Sequence, residues 1–199
     1  SPCCGRCPIG SPRGREAFPP GGGGPPPSLS ETAFARLIAL TARHLLLPGV
    51  REFTVEAGRP DCFSAEKLKV MKACGVNRIS VNPQTLHDKT LKAIGRSHTV
   101  QDFYRSYDLV RNSGIKTVNT DLIIGLPGET ADDVRASLDG IRALAPDNLT
   151  VHTLTLKKSA PIFGAQFSSL TADDAEALVA YGGETAAAMG MLPYYLYRQ

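Results

Sequence analysis

KTVNTDLIIGLPG, residues 116–128, runs directly into ETADDVRASLDGIRALAP, residues 129–146. The first stretch is a strand rich in β-branched residues that ends in a Gly-Pro turn. The second is a helix with acidic residues in its first turns, where the helix dipole favours them. The same alternation repeats on both sides of this pair. Upstream, EFTVEA (52–57) predicts a strand and SAEKLKVMKACG (64–75) a helix capped by Ser64 and ended by Gly75. RISVNP (78–83) is a second strand, DKTLKAIGR (88–96) a short helix, and VQDFYRSYDLVRNSG (100–114) a longer one. SETAFARLIALTARHLLL (30–47) is a helix opened by Ser30 and stopped by Pro48 and Gly49. Downstream come the strand LTVHTLTL (149–156), the helix 171–190 and a final strand, PYYLY (193–197).

Such alternation implies parallel strands joined by crossover helices, either an open doubly wound sheet or a barrel. In both, ligands collect at the carboxyl ends of the strands. The polar residues fall there. Glu56 ends the first strand, Asn82 and Gln84 follow the second, Asp121 lies in the third and His152 in the fourth.

Residues 1–29 differ. SPCCGRCPIGS opens the chain, and SPRGREAFPPGGGGPPPSLS (11–30) shows neither helical nor strand periodicity. The chain therefore divides into a Gly/Pro-rich segment, 1–29, and a regular α/β unit, 30–199. Its 199 residues suffice for one ordinary core, and 42% hydrophobic with 21% charged residues describe a soluble globular protein. A net charge of +3 with scattered basic residues gives no argument for nucleic acid. No apolar run approaches the ~20 residues of a membrane span, and no export signal is visible. Three of the five cysteines crowd at one end, which fits reduced, metal-type use in the cytoplasm better than disulfides.

EFTVEAGRPD (52–61), GVNRISVNPQTLHDKTLKAIGRSHT (75–99), NTDLIIGLPGET (119–130) and LTVHTLTLKKSA (149–160) resemble the radical S-adenosylmethionine (SAM) enzymes of oxygen-independent coproporphyrinogen III oxidation. VEAGRPD and VNPQT are closest to the HemZ-like branch, and PYYLYRQ also resembles a segment of it. The resemblance covers residues 30–199 in unbroken order. It implies a partial (β/α)6 barrel of the TIM type, here lacking the first strand–helix unit. It implies a [4Fe–4S] cluster held by C-x3-C-x2-C and a bound SAM, cleaved to a 5′-deoxyadenosyl radical by an electron from the cluster. The implied substrate is coproporphyrinogen III, two of whose propionates become vinyl groups in haem biosynthesis, with an electron donor as partner.

On this sequence the cluster motif maps to Cys3 and Cys7, with Gly10 in the third place. Cys4 is the candidate substitute, although adjacent side chains diverge. The alternative is a thiol pair that takes up zinc or oxidises. Gly22, Gly23 and Gly24 match the family's glycine run near the methionyl end of SAM, with Pro25 where threonine is expected and AFPP in place of the apolar strand. The resemblance further assigns Glu56, Gln84, Arg96 and Asp121 to SAM contacts, and leaves the catalytic residues unassigned. A missing cluster ligand implies a chain with little activity as it stands. Two other functions stand beside it: a haem-binding chaperone of the same superfamily, and an inactive, truncated pseudoenzyme. His98 and His152 are candidate pocket residues or structural ones. Cys74 reads as core, the sequence identifies no histidine or carboxylate partner for Cys62, at least one of Tyr194, Tyr195 and Tyr197 should be core, and Lys157 and Lys158 would suit propionates or solvent.

Overall fold

Apart from the short helix Asp88–Ala93, the helix starts described rest on side-chain oxygens that take up backbone N–H groups the helix itself leaves unpaired. In the computed structural model, which describes residues 16–17, 29–56, 60–154 and 170–193, Ser30 opens α1 (Glu31–Leu45) by accepting from Ala33. Ser64 opens α2 (Ala65–Ala73) by accepting from Lys67. Reciprocal capping boxes open α4 (Val100–Asn112), α5 (Ala131–Leu144) and α6 (Ala172–Ala188), pairing Thr99 with Asp102, Thr130 with Asp133 and Thr171 with Asp174. The short α3 is Asp88–Ala93. Gly75 and Gly114 end α2 and α4 with φ of 87° and 76°, values that other residues rarely adopt.

The strands are β1 (Glu16–Ala17), β2 (Glu52–Glu56), β3 (Arg78–Ser80), β4 (Thr117–Ile124) and β5 (Asn148–Thr153). All pair in parallel, in the order β1-β2-β3-β4-β5. Chain order and spatial order coincide, so there is no point at which the winding reverses. Crossovers of one hand then put every helix on the same side of the sheet, which is barrel topology and not a doubly wound sheet. The core lies on that side. Phe53, Val55, Ile79, Val118 and Ile124 from the strands meet Phe34, Ile38, Met71, Phe103, Val110 and Leu138 from the helices, each 0–1% exposed.

One expectation is corrected. The stretch 11–30 shows no strand periodicity, yet Glu16–Ala17 pairs with Glu52 and Phe53. Two residues are too few to display a period of two; backbone pairing with β2, not side-chain pattern, makes this strand. The expected strand at 193–197 and the lysines at 157 and 158 lie outside the described residues. Among the described residues no helix is long and apolar enough to cross a membrane.

The capping boxes generate a stability prediction with a defined pH dependence. Bonds from Thr99 hold the Asp102 carboxyl below the usual carboxylate range, so its stabilisation is present above the unfolded value near 3.8 and is lost as pH falls through the lower folded value. Thr99→Ala should cost about 1 kcal/mol at neutral pH in urea unfolding, with a smaller difference from wild type at pH 3.

Candidate functional site

Side chains alternate across a strand, and parallel register aligns residues of the same face in rows. With Phe53, Val55, Ile79 and Val118 given to the helices, the opposite face carries the next residues along. Its rows are Thr54–Arg78–Thr117, then Glu56–Ser80–Asn119–Asn148, then Asp121–Thr150, then Ile123–His152. This is the concave face of the sheet. Apart from Ile123 it is polar throughout, where a barrel interior that served only stability would be filled by branched apolar residues.

Asn119, 4% exposed, is the centre of this face. Its Nδ2 donates to Asp121 Oδ1 at 2.6 Å and to Ser80 Oγ at 3.3 Å. Its Oδ1 accepts from Asn148 Nδ2 at 3.0 Å and, more weakly, from Arg78 and Thr150 at 3.4 Å each. Arg78 reaches back to Glu52, with Nη1 3.3 Å from both carboxylate oxygens, and Glu52 accepts from the Thr54 hydroxyl at 2.8 Å. One connected network thus spans β2 to β5. The Arg78 charge is balanced by Glu52. Towards the carboxyl ends the balance changes, because among the described residues neither Glu56 nor Asp121 enters an ion pair. Among the described residues, the mouth of the barrel thus pairs no cation with either carboxylate.

Gln84 sits beside them in an unusual backbone conformation. Its φ is 70°, and its neighbours hold it there: the Gln84 N–H donates to the Asp121 carbonyl at 3.2 Å, and its carbonyl accepts from Ile123 at 2.9 Å. A non-glycine residue in this region is strained, and such strain collects at functional positions. Gln84 and Asp121 are therefore brought together, and Glu56 stands two strands away from Asp121 on the same face. Arg96 is placed on the closure of α3, where its N–H bonds the Leu91 carbonyl at 2.9 Å after Gly95 turns the chain. Its side chain is half-buried. Cys3, Cys7, Gly22, Gly23 and Gly24 lie outside the described residues, as do Tyr194, Tyr195 and Tyr197. Among the described residues no group of His, Cys, Asp and Glu stands together as a metal site.

His152 is half-buried at the upper rim of the concave face, whereas His98 is buried at 4% exposure beside α4. Cys74 packs at the edge of the core as expected, and Cys62 is buried in a 3₁₀ turn, Pro60–Cys62. Sequence reasoning missed Arg78, Ser80, Asn119, Asn148 and Thr150. The signal existed: polar residues recur at every second position in 78–80, 117–121 and 148–152 against an alternate face that is apolar except for Thr120. It also missed Glu129, which follows the Gly125–Gly128 turn and is 1% exposed. Burial pushes the Glu129 carboxyl above the usual carboxylate range, opposed by hydrogen bonds from Thr85 and Thr90.

A parallel sheet in barrel order with a polar concave face and carboxylates at its mouth defines an α/β protein of the partial-barrel class with a candidate ligand site. The model of the Radical SAM superfamily matches residues 21–141, and the chain belongs to that superfamily. It is 42% identical over 188 residues, 89% of its length, to the oxygen-independent coproporphyrinogen-III oxidase-like protein HemZ of Bacillus subtilis. It is 39% identical over 138 residues, 68% of its length, to the heme chaperone HemW of the same organism. In each case the chain spans 36% of the relative. Among solved structures, coproporphyrinogen III oxidase (HemN) from Escherichia coli shares the fold at a TM-score of 0.71 and 22% identity, over 84% of this chain and 39% of that one.

The network predicts a specific cost. Asn119→Ala leaves Asp121, Asn148 and Arg78 short of partners on a largely buried face, and should destabilise the protein by roughly 2–3 kcal/mol in urea unfolding. Asn148→Ala, which removes the bond to Asn119 from the edge of the network, should cost about 1 kcal/mol in the same measurement.

Proposed function

We propose that this chain is the SAM-binding barrel of a coproporphyrinogen III oxidase-like protein, impaired in the reaction by the glycine at position 10. The observation that carries the binding half is the mouth of the barrel. Asp121 and Glu56 offer carboxylates that enter no ion pair among the described residues, and the Gln84 backbone is bonded to that of Asp121. SAM brings two ribose hydroxyls, an ammonium and a sulfonium, all of which suit carboxylate acceptors or a negative field. The donor set fits the ligand. In this proposal Asp121 and Glu56 accept from hydroxyls or the ammonium, Gln84 orients the adenosyl part, and Arg96 pairs with the ligand carboxylate. Gly22, Gly23 and Gly24 would admit the methionyl end without side chains in the way.

The cluster would rest on Cys3 and Cys7, one thiolate short. When complete and bound, cluster and SAM supply one-electron chemistry for hydrogen abstraction. Converting one propionate to a vinyl group releases carbon dioxide, one proton and two electrons, so an electron acceptor must complete the turnover of the substrate. The polar network below the mouth holds Asp121 through Asn119 and keeps the site from relaxing around the ligand.

A second function, haem binding for delivery, has its own support in the similarity to the heme chaperone HemW. Longer identity with the HemZ protein favours the first.

The test is iron content and visible absorbance after anaerobic reconstitution of the chain and of Gly10→Cys. The wild type should hold well under four irons per chain, and the variant about four, with a broad dithionite-bleachable band near ~400 nm. Four irons in the wild type would overturn the impaired-site proposal and make Cys4 or an outside group the third ligand. Stoichiometric haem uptake by the wild type, without SAM binding, would favour delivery instead.

A further inference from the structure

The loop 82–87 that carries Gln84 is fastened to α5 along one stripe. His87 Nε2 donates to the Asp133 carbonyl at 2.8 Å, and the Leu86 N–H donates to Ser137 Oγ at 3.2 Å. The Leu86 side chain lies over Gly140, where an added Cβ would come within 2.5 Å of Leu86 Cδ1. Positions 133, 137 and 140 stand at i, i+4 and i+7, which is a single helix face. Glu129 stands two residues before the start of this helix. Thr85, next to Gln84, donates its hydroxyl to the Glu129 carboxylate. Thr90 on α3 is a second donor.

All three groups are buried, Glu129 and Thr85 at 1% exposure and Thr90 at 2%. Water cannot replace a missing partner there, so the carboxylate needs both hydroxyls and the hydroxyls need it. The backbone at Gln84 is strained and would relax if the adjoining residue were freed. We propose that Glu129 is a positioning residue of the ligand site, fixing Gln84 in its left-handed conformation beside Asp121 through the Thr85 hydroxyl. The ligand in question is the SAM assigned above, and to that extent the inference rests on that assignment. A group that only stabilised the fold would affect global unfolding; this one acts on a single loop.

Four proteins separate the two roles: wild type, Glu129→Ala, Glu129→Gln and Leu178→Ala. Leu178 is a fully buried core residue on α6, a helix that takes part in none of the loop's hydrogen bonds named above. Two quantities are read on the reconstituted proteins, the SAM dissociation constant by anaerobic calorimetry and amide hydrogen exchange of residues 82–87 without SAM. Glu129→Ala should weaken SAM binding about tenfold or more and speed exchange of 82–87 by a similar factor. Glu129→Gln keeps an oxygen that accepts from Thr85, and should stay within about threefold of wild type in both. Leu178→Ala should lose global stability and leave both unchanged. If Glu129→Ala does not fold, Thr85→Val, which removes only the hydroxyl, replaces it with the same expectations. Wild-type exchange and affinity in Glu129→Ala, or equal losses in Leu178→Ala, would overturn the proposal. If the wild type takes up no SAM, the ligand assignment falls and exchange alone decides the clamp: fast exchange in Glu129→Ala upholds it, and unchanged exchange overturns it.

Discussion

The hydrogen bonds of Asn119 are the constraint on which the concave face depends. A parallel sheet covered by helices on one side ordinarily buries its other side as well, and its strands then read as continuous apolar runs. Here β4 has an apolar face towards α4 and α5 and a polar face towards the barrel axis. Polar groups so enclosed are tolerable only when they satisfy one another. Asn119, with donor and acceptor on one short side chain, joins Ser80 and Asp121 on one hand and Asn148, Thr150 and Arg78 on the other. The network ends in a carboxylate, Asp121, at the level where the strands open. Stability below and the proposed recognition above are linked through that residue.

The mouth itself is shaped by two different devices. Strand pairing places Glu56 and Asp121, because their positions follow from parallel register. Gln84 is not placed by regular pairing. It lies past the end of β3 in a conformation that needs outside support, and that support comes from β4 on one side and, through Thr85, from Glu129 on the other. A hollow along α1, around Arg36, Leu37 and Leu40, is lined by residues of that one helix and its cap and has no such convergence of groups from several strands.

Much of this architecture was legible in the sequence. Helix boundaries were marked by Ser30, Ser64, Thr99, Thr130 and Thr171 at their starts and by Gly75 and Gly114 at their ends, signals that act locally and need no tertiary knowledge. Strands with a two-faced pattern were equally clear. Strand β1 was not, since its existence depends on a partner and not on its own pattern. The partnerships of Asn119 and Glu129 were also hidden. Asn119 bonds residues 41 positions before and 31 after it, and Glu129 bonds a threonine 44 positions away, distances that only the folded chain closes. The left-handed conformation of Gln84 had no marker either, because glycine or asparagine would have announced it and glutamine does not.

Because the chain spans 36% of the HemZ and HemW proteins it resembles, its own contribution is best sought in the barrel segment it contains. The most direct test is ultraviolet cross-linking of radiolabelled SAM to the anaerobically reconstituted chain, followed by mapping of the labelled peptides. Label in peptides holding Gln84 and residues 119–123, competed by unlabelled SAM, is the predicted result. Label confined to α1 or α6, or none that SAM competes, would contradict the assignment of the strand mouth as the SAM site.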